Sequence, residues 1–111
     1  MEFKRLNNMT GSDPVMNRRI TSIFLHDLEA FKTLFTSLSQ QQKLDHIKFS
    51  LHKIKPSLVI FEMGELINQY EDLLQIAQKS PSFSDYQEKL NSTIKETELQ
   101  IGKVKVFLSS L

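Results

Sequence analysis

Cysteine and tryptophan are absent from this 111-residue chain, and glycine and proline occur only three times each. Without cysteine there is no disulfide scaffold, no thiolate-ligated zinc or iron–sulfur centre and no thiol nucleophile. Gly11, Gly64 and Gly102 stand isolated, so no Gly-rich loop exists to cradle a nucleotide phosphate. An excess of charge is missing too. Lys and Arg number 14 against 13 Asp and Glu, a formal net charge of +1, which is no footprint for nucleic acid. The pairs Lys4-Arg5 and Arg18-Arg19 are too small to form a basic patch. No apolar run approaches the ~20 residues that span a bilayer. The stretch from Met1 to Asn8 is polar and has no signal-peptide core. These absences predict a soluble, cytoplasmic single domain without nucleic-acid partner or membrane insertion, and the chain is expected to be a monomer.

What is present is helical periodicity. Hydrophobic residues make up 40% of the chain and charged residues 24%, ordinary globular usage with enough apolar material for one core. Gly11, Ser12, Asp13 and Pro14 form one breaker cluster, Pro81, Ser82 and Ser84 another, and Gly64 separates two apolar-periodic segments. Between them, apolar residues recur at steps of three and four. The first long segment has Met16, Ile20, Ile23, Phe24, Phe31, Leu34, Phe35 and Leu38, a stripe that crosses Asp27. The second has Leu44, Ile47, Leu51, Ile54, Leu58 and Phe61, and the third Leu66, Tyr70, Leu73, Leu74 and Ala77. The fourth has Tyr86, Leu90, Ile94, Ile101, Val104, Leu108 and Leu111, and passes through Thr97. Strict alternation of the kind a strand needs is sustained nowhere.

Start signals agree. Asp13 before Pro14 offers a cap with proline at the first helical position. Ser39 is placed to cap the second helix, and Ser84 with Gln87 has the spacing of a capping box at the fourth. Four helices with short connections predict an all-α, up-and-down antiparallel four-helix bundle. The segment Glu2 to Leu6 is read as a short N-terminal lead-in helix on one end of it. Residues 1–13 are then lead-in and turn, and 14–111 the four-helix domain.

Such bundles host many activities, so function has to come from a site. With Leu44, Ile47, Leu51, Ile54 and Leu58 turned inward, Lys48, His52, Lys55, Pro56 and Val59 share a neighbouring face of the second helix. His52 thus has a lysine one turn before it and another one turn after. A neutral imidazole nitrogen is a nucleophile. The same lysines suit an attached phosphoryl group. Pro56 removes the N–H that would bond the carbonyl of His52. Either the helix departs from ideal geometry there, or it ends near Lys55 and Pro56 opens a second piece. Phe49 and Val59 flank His52, either as an exposed docking rim or at the edge of the core.

The run His52-Lys53-Ile54-Lys55-Pro56-Ser57 resembles the signature of histidine-phosphotransfer (HPt) domains: His, two residues, Lys, a small residue, then commonly Ser or Ala. Met9-Thr10-Gly11-Ser12-Asp13-Pro14 is similar to the turn before that family's first long helix, and Phe24-Leu25-His26-Asp27-Leu28 to part of the helix. The resemblance covers roughly Leu6 to Lys79, with a fourth helix of the expected length behind it. It implies a four-helix bundle in which His52 is the phosphoacceptor and Lys55 stabilises the phosphate. It also implies a phosphorelay role without autokinase activity. The partners would be response-regulator receiver domains and a hybrid sensor histidine kinase, docking on Lys48, Phe49, Pro56 and Val59. No cofactor is implied for this chain, since Mg²⁺ would sit on the receiver. The departure is Pro56, where the family usually has Gly, a small residue thought to let a receiver approach closely. The dimerisation domain of sensor kinases is a poorer match. Its motif reads His-Glu with Pro at the fifth position, whereas Lys53 follows His52 here and Pro56 is at the fourth.

The remaining candidates carry less. His26-Asp27 and Asp45-His46 lie on different helices without a second ligand at helical spacing, so no metal site is expected. Ser57 has no identifiable general base, and Glu62, Glu65, Glu71 and Asp72 read as junction and outer-face acids. The rival to a phosphoryl carrier is a binding-only helical module that docks a receiver or kinase. An unrelated helical adaptor is a third, weaker alternative.

Overall fold

The computed structural model describes residues 3–37, 40–79 and 83–111, with the side chains of 36, 37, 40–44, 77 and 83–85 left aside. The described residues form five helices and no strand: α1 Lys4–Thr10, α2 Pro14–Ser37, α3 Gln40–Ile60, α4 Gly64–Gln78 and α5 Phe83–Ser109. Expectations for Leu38, Ser39, Pro81 and Ser82, and for the side chains of Leu44, Ala77 and Ser84, lie outside the described residues. Helix α2 packs on α1, α3 and α5, while α4 packs on α3 and α5. The long helices therefore surround a common core, in a body of 47 × 20 × 20 Å.

Local chemistry sets the helix ends. Gly11 closes α1 at φ 64°, a left-handed conformation that costs a side-chain-bearing residue about 1 kcal/mol or more. Asp13 then caps α2, its Oδ1 accepting from the N–H of Val15 at 2.9 Å, with Pro14 as first helical residue. The α3–α4 turn is closed without glycine. Glu62 takes φ 57°, its N–H donates to Val59 O at 3.0 Å, and Met63 N–H donates to Leu58 O at 2.8 Å. This is a Schellman closure, with buried Met63 and Leu58 as its apolar pair. The Glu62 carboxylate also accepts from Lys4 N–H at 3.1 Å, which satisfies an orphan donor at the start of α1.

Two aromatic groups fill the interior. Phe24 stacks on Phe61 with centroids 4.2 Å apart, and Phe3 meets Phe61 and Phe107 edge-on at 5.1 and 4.8 Å. Phe31 and Phe35 surround the Tyr70 ring at 4.7 and 5.6 Å. Phe3 and Leu6 of the lead-in thereby join the same core as the long helices.

The α3 stripe from Ile47 to Phe61 is buried as its periodicity predicts, and so are Leu66, Tyr70 and Leu73 of α4. The α2 stripe needs correction. Met16 and Ile23 are 48% and 58% exposed, whereas Leu28, which the stripe omitted, is fully buried. The buried line of α2 runs Asn17, Thr21, Phe24, Leu28, Phe31, Phe35. Two of its members are polar, so following apolar residues alone rotates the stripe onto the flank. Asn17 is satisfied by Thr10 and by Asn7, the latter at 2.9 Å. Helix α5 behaves alike: Thr93, Thr97 and Phe107 are buried, and Ile94, Leu108 and Leu111 only half-buried.

Candidate functional site

The outer face of α3 follows from its inner one. With Ile47, Leu51, Ile54 and Leu58 in the core, a rotation of about 100° per residue turns position 52 toward solvent, and His52 is exposed. Lys48, Phe49, Lys55, Pro56 and Val59 are exposed around it. Phe49 is 74% and Val59 40% exposed, so neither serves as the edge of the core. An exposed phenyl ring beside cationic side chains is a mixed surface of the kind transient protein contacts use.

Helix α3 continues through Pro56 to Ile60. It does not end at Lys55. Proline has no N–H, so the carbonyl of His52 lacks its usual intrahelical donor, and the ring of Pro56 crowds it. The exposed side of the helix is the place where water can supply the missing partner.

Lys55 lies on the flank of α3 that faces α4. Its Nζ donates to Glu71 Oε1 at 2.8 Å. Lys55 and Glu71 stand equidistant from Met63 in the chain, so the fold-back at the α3–α4 turn brings them together. Two opposite charges placed symmetrically about a helix junction were the available signal, and a reading of single helices passes over it. The pair is half-exposed, 49% for Lys55 and 44% for Glu71. The neighbouring acid Asp72 turns the other way, toward Lys89 of α5 at 3.9 Å.

On the opposite flank, Ser50, Lys53 and Ile54 of α3 meet Asp27, Ala30, Phe31 and Leu34 of α2 along a groove of about 190 Å³. This is below the size of an ordinary ligand pocket, roughly 300 Å³ and up. Two further depressions lie along α5 alone, at Glu88 to Leu99 and Glu98 to Val106, where no second helix converges. His26 is exposed with Nδ1 3.7 Å from Asp27 Oδ1, and His46 is exposed on α3. Among the described residues no three His, Asp or Glu side chains gather in metal-binding geometry. No described helix is long and apolar enough to cross a membrane.

The outer face of α3 thus presents an exposed histidine, His52, with Lys48 and Lys55 on the same helix and the carboxylate of Glu71 on the neighbouring one. No protein-family model, curated protein or solved structure matches the chain.

Proposed function

We propose that this protein is a phosphoryl carrier of the histidine-phosphotransfer type, acting as a cytoplasmic monomer between receiver domains. The long helices α2 to α5 are read as an up-and-down antiparallel bundle that holds α3 rigid. A ring nitrogen of His52 attacks the phosphorus of an aspartyl phosphate on a receiver. The N–P bond forms, the acyl O–P bond breaks, the receiver's carboxylate leaves and a ring proton passes to solvent. The reverse step delivers the phosphoryl to a second receiver. Such transfer needs positioning and charge stabilisation more than covalent machinery. The receiver brings the acidic cluster and its Mg²⁺, and this chain brings an exposed imidazole and cations.

The observation that carries the reading is the exposure of His52 in mid-helix with Lys55 one turn away on the same side. Phe49 and Val59 supply apolar contact area for a partner, and Lys48 and Lys55 steer an acidic one. The second reading, a module that binds a receiver or kinase without phosphotransfer, is favoured by one fact: the ammonium of Lys55 is already engaged by Glu71. Incubation with a receiver domain carrying labelled aspartyl phosphate separates the two. Acid-labile label on this chain selects the carrier, and a stable complex without label selects the binding module.

A further inference from the structure

The lysine that the carrier reading assigns to the phosphoryl group already has a partner, since Lys55 Nζ donates to Glu71 Oε1 at 2.8 Å. Resting on that reading, we infer that Glu71 is a counter-ion which docks Lys55 on α4 while His52 is unmodified and yields it to the phosphoryl group afterwards. Glu71 thereby sets how much phosphoryl the site retains.

Three features support this. The pair is weak enough to part: both side chains are half-exposed, and exposed ion pairs contribute little. The competitor is stronger, because a phosphoryl group carries nearly two negative charges and three acceptor oxygens within one helical turn of Lys55. The acid next to Glu71 on α4 does not share Lys55, because Asp72 faces Lys89 of α5. Glu71 touches no reacting atom. It is a positioning residue that acts through Lys55.

The test uses potassium phosphoramidate as phosphoryl donor. Its P–N bond breaks as the N–P bond to histidine forms, and the departing ammonia takes up the proton that the ring loses. Phosphohistidine is counted by ³¹P NMR at a fixed dose in wild type, Glu71→Gln, Lys55→Ala and the double variant. The expected result is a ratio of phosphorylated to free His52 raised about two- to fivefold by Glu71→Gln, the range an exposed ion pair corresponds to. That gain should disappear in the Lys55→Ala background, where a general charge effect would persist. An unchanged ratio in Glu71→Gln, or an equal gain with and without Lys55, overturns the inference while leaving His52 as acceptor. The exposed His26 and His46 are internal controls. Wild-type His52 labelled no more readily than those two overturns the carrier reading, and this inference with it.

Discussion

The hydroxyl of Tyr70 lies 2.6 Å from Oγ1 of Thr97, deep between α4 and α5, and Thr97 passes its own hydrogen on to the carbonyl of Thr93 at 2.9 Å. Burial pushes the Tyr70 phenol far above its ordinary value, partly opposed by the Thr97 hydrogen bond, and burial raises Tyr86 as well. Below pH of about 10 the phenol is neutral in both folded and unfolded chains. Above it the unfolded chain loses the proton and the folded one keeps it, so stability falls as pH rises. For the deeply buried Tyr70 phenol this slope approaches about 1.4 kcal/mol per pH unit. Tyr70→Phe should cost about 1 kcal/mol at neutral pH and flatten the alkaline fall. Urea melts of both proteins from pH 8 to 11 check this, and parallel curves would contradict it.

Thr97 also shows how far the sequence could be read. The stripe of α5 crosses it, and a threonine inside an apolar stripe is ambiguous until its partner is known. Tyr70, on another helix, is that partner. The helical periods of α3 and α4 were legible because their buried lines are apolar throughout. Those of α2 and α5 drifted where Asn17, Thr21, Thr93 and Thr97 are buried through hydrogen bonding or close packing. The α3–α4 turn was located by Gly64, yet the left-handed residue is Glu62, held by its Schellman closure. At the site, local spacing placed His52 and its neighbours on one face. Glu71 was legible only as an outer acid, since its contact with Lys55 depends on the pairing of two helices.

Pro56 carries the largest local cost on α3. Pro56→Ala restores the N–H donor for the His52 carbonyl and removes the ring's crowding, interior prolines costing ~3 kcal/mol. Part of that cost is offset by proline's stiffening of the unfolded chain. The variant should be more stable by about 2 kcal/mol, read as a raised urea midpoint at constant m-value. A lower midpoint would mean that the bundle depends on Pro56.

Lys55→Ala should leave stability within about 1 kcal/mol of wild type, because its partner Glu71 is half-exposed and returns to water. Phosphoryl acceptance should slow at least tenfold if Lys55 supplies about 1.4 kcal/mol of charge stabilisation in the transition state. Rapid-quench transfer and thermal melts read the two effects separately. Lost stability with unaltered transfer would make Lys55 structural.

Phe49→Asp and Val59→Asp place a charge on exposed apolar positions without disturbing the core. Each should weaken receiver binding and leave the melting temperature nearly unchanged. Binding should also weaken with salt, since Lys48 and Lys55 steer the encounter. Amide shifts on adding a receiver are the measurement. They should centre on α3, and shifts confined to α5 would place the docking surface elsewhere.

The central claim is that His52 itself receives the phosphoryl group. The most direct measurement mixes wild-type protein and His52→Gln, each checked for an unchanged melt, with a receiver domain carrying labelled aspartyl phosphate. Wild type should acquire label that acid releases and alkali does not, while His52→Gln stays unlabelled although it still binds the receiver. Equal labelling of the two proteins, or a wild type that binds the phosphorylated receiver and takes no label, would contradict the account.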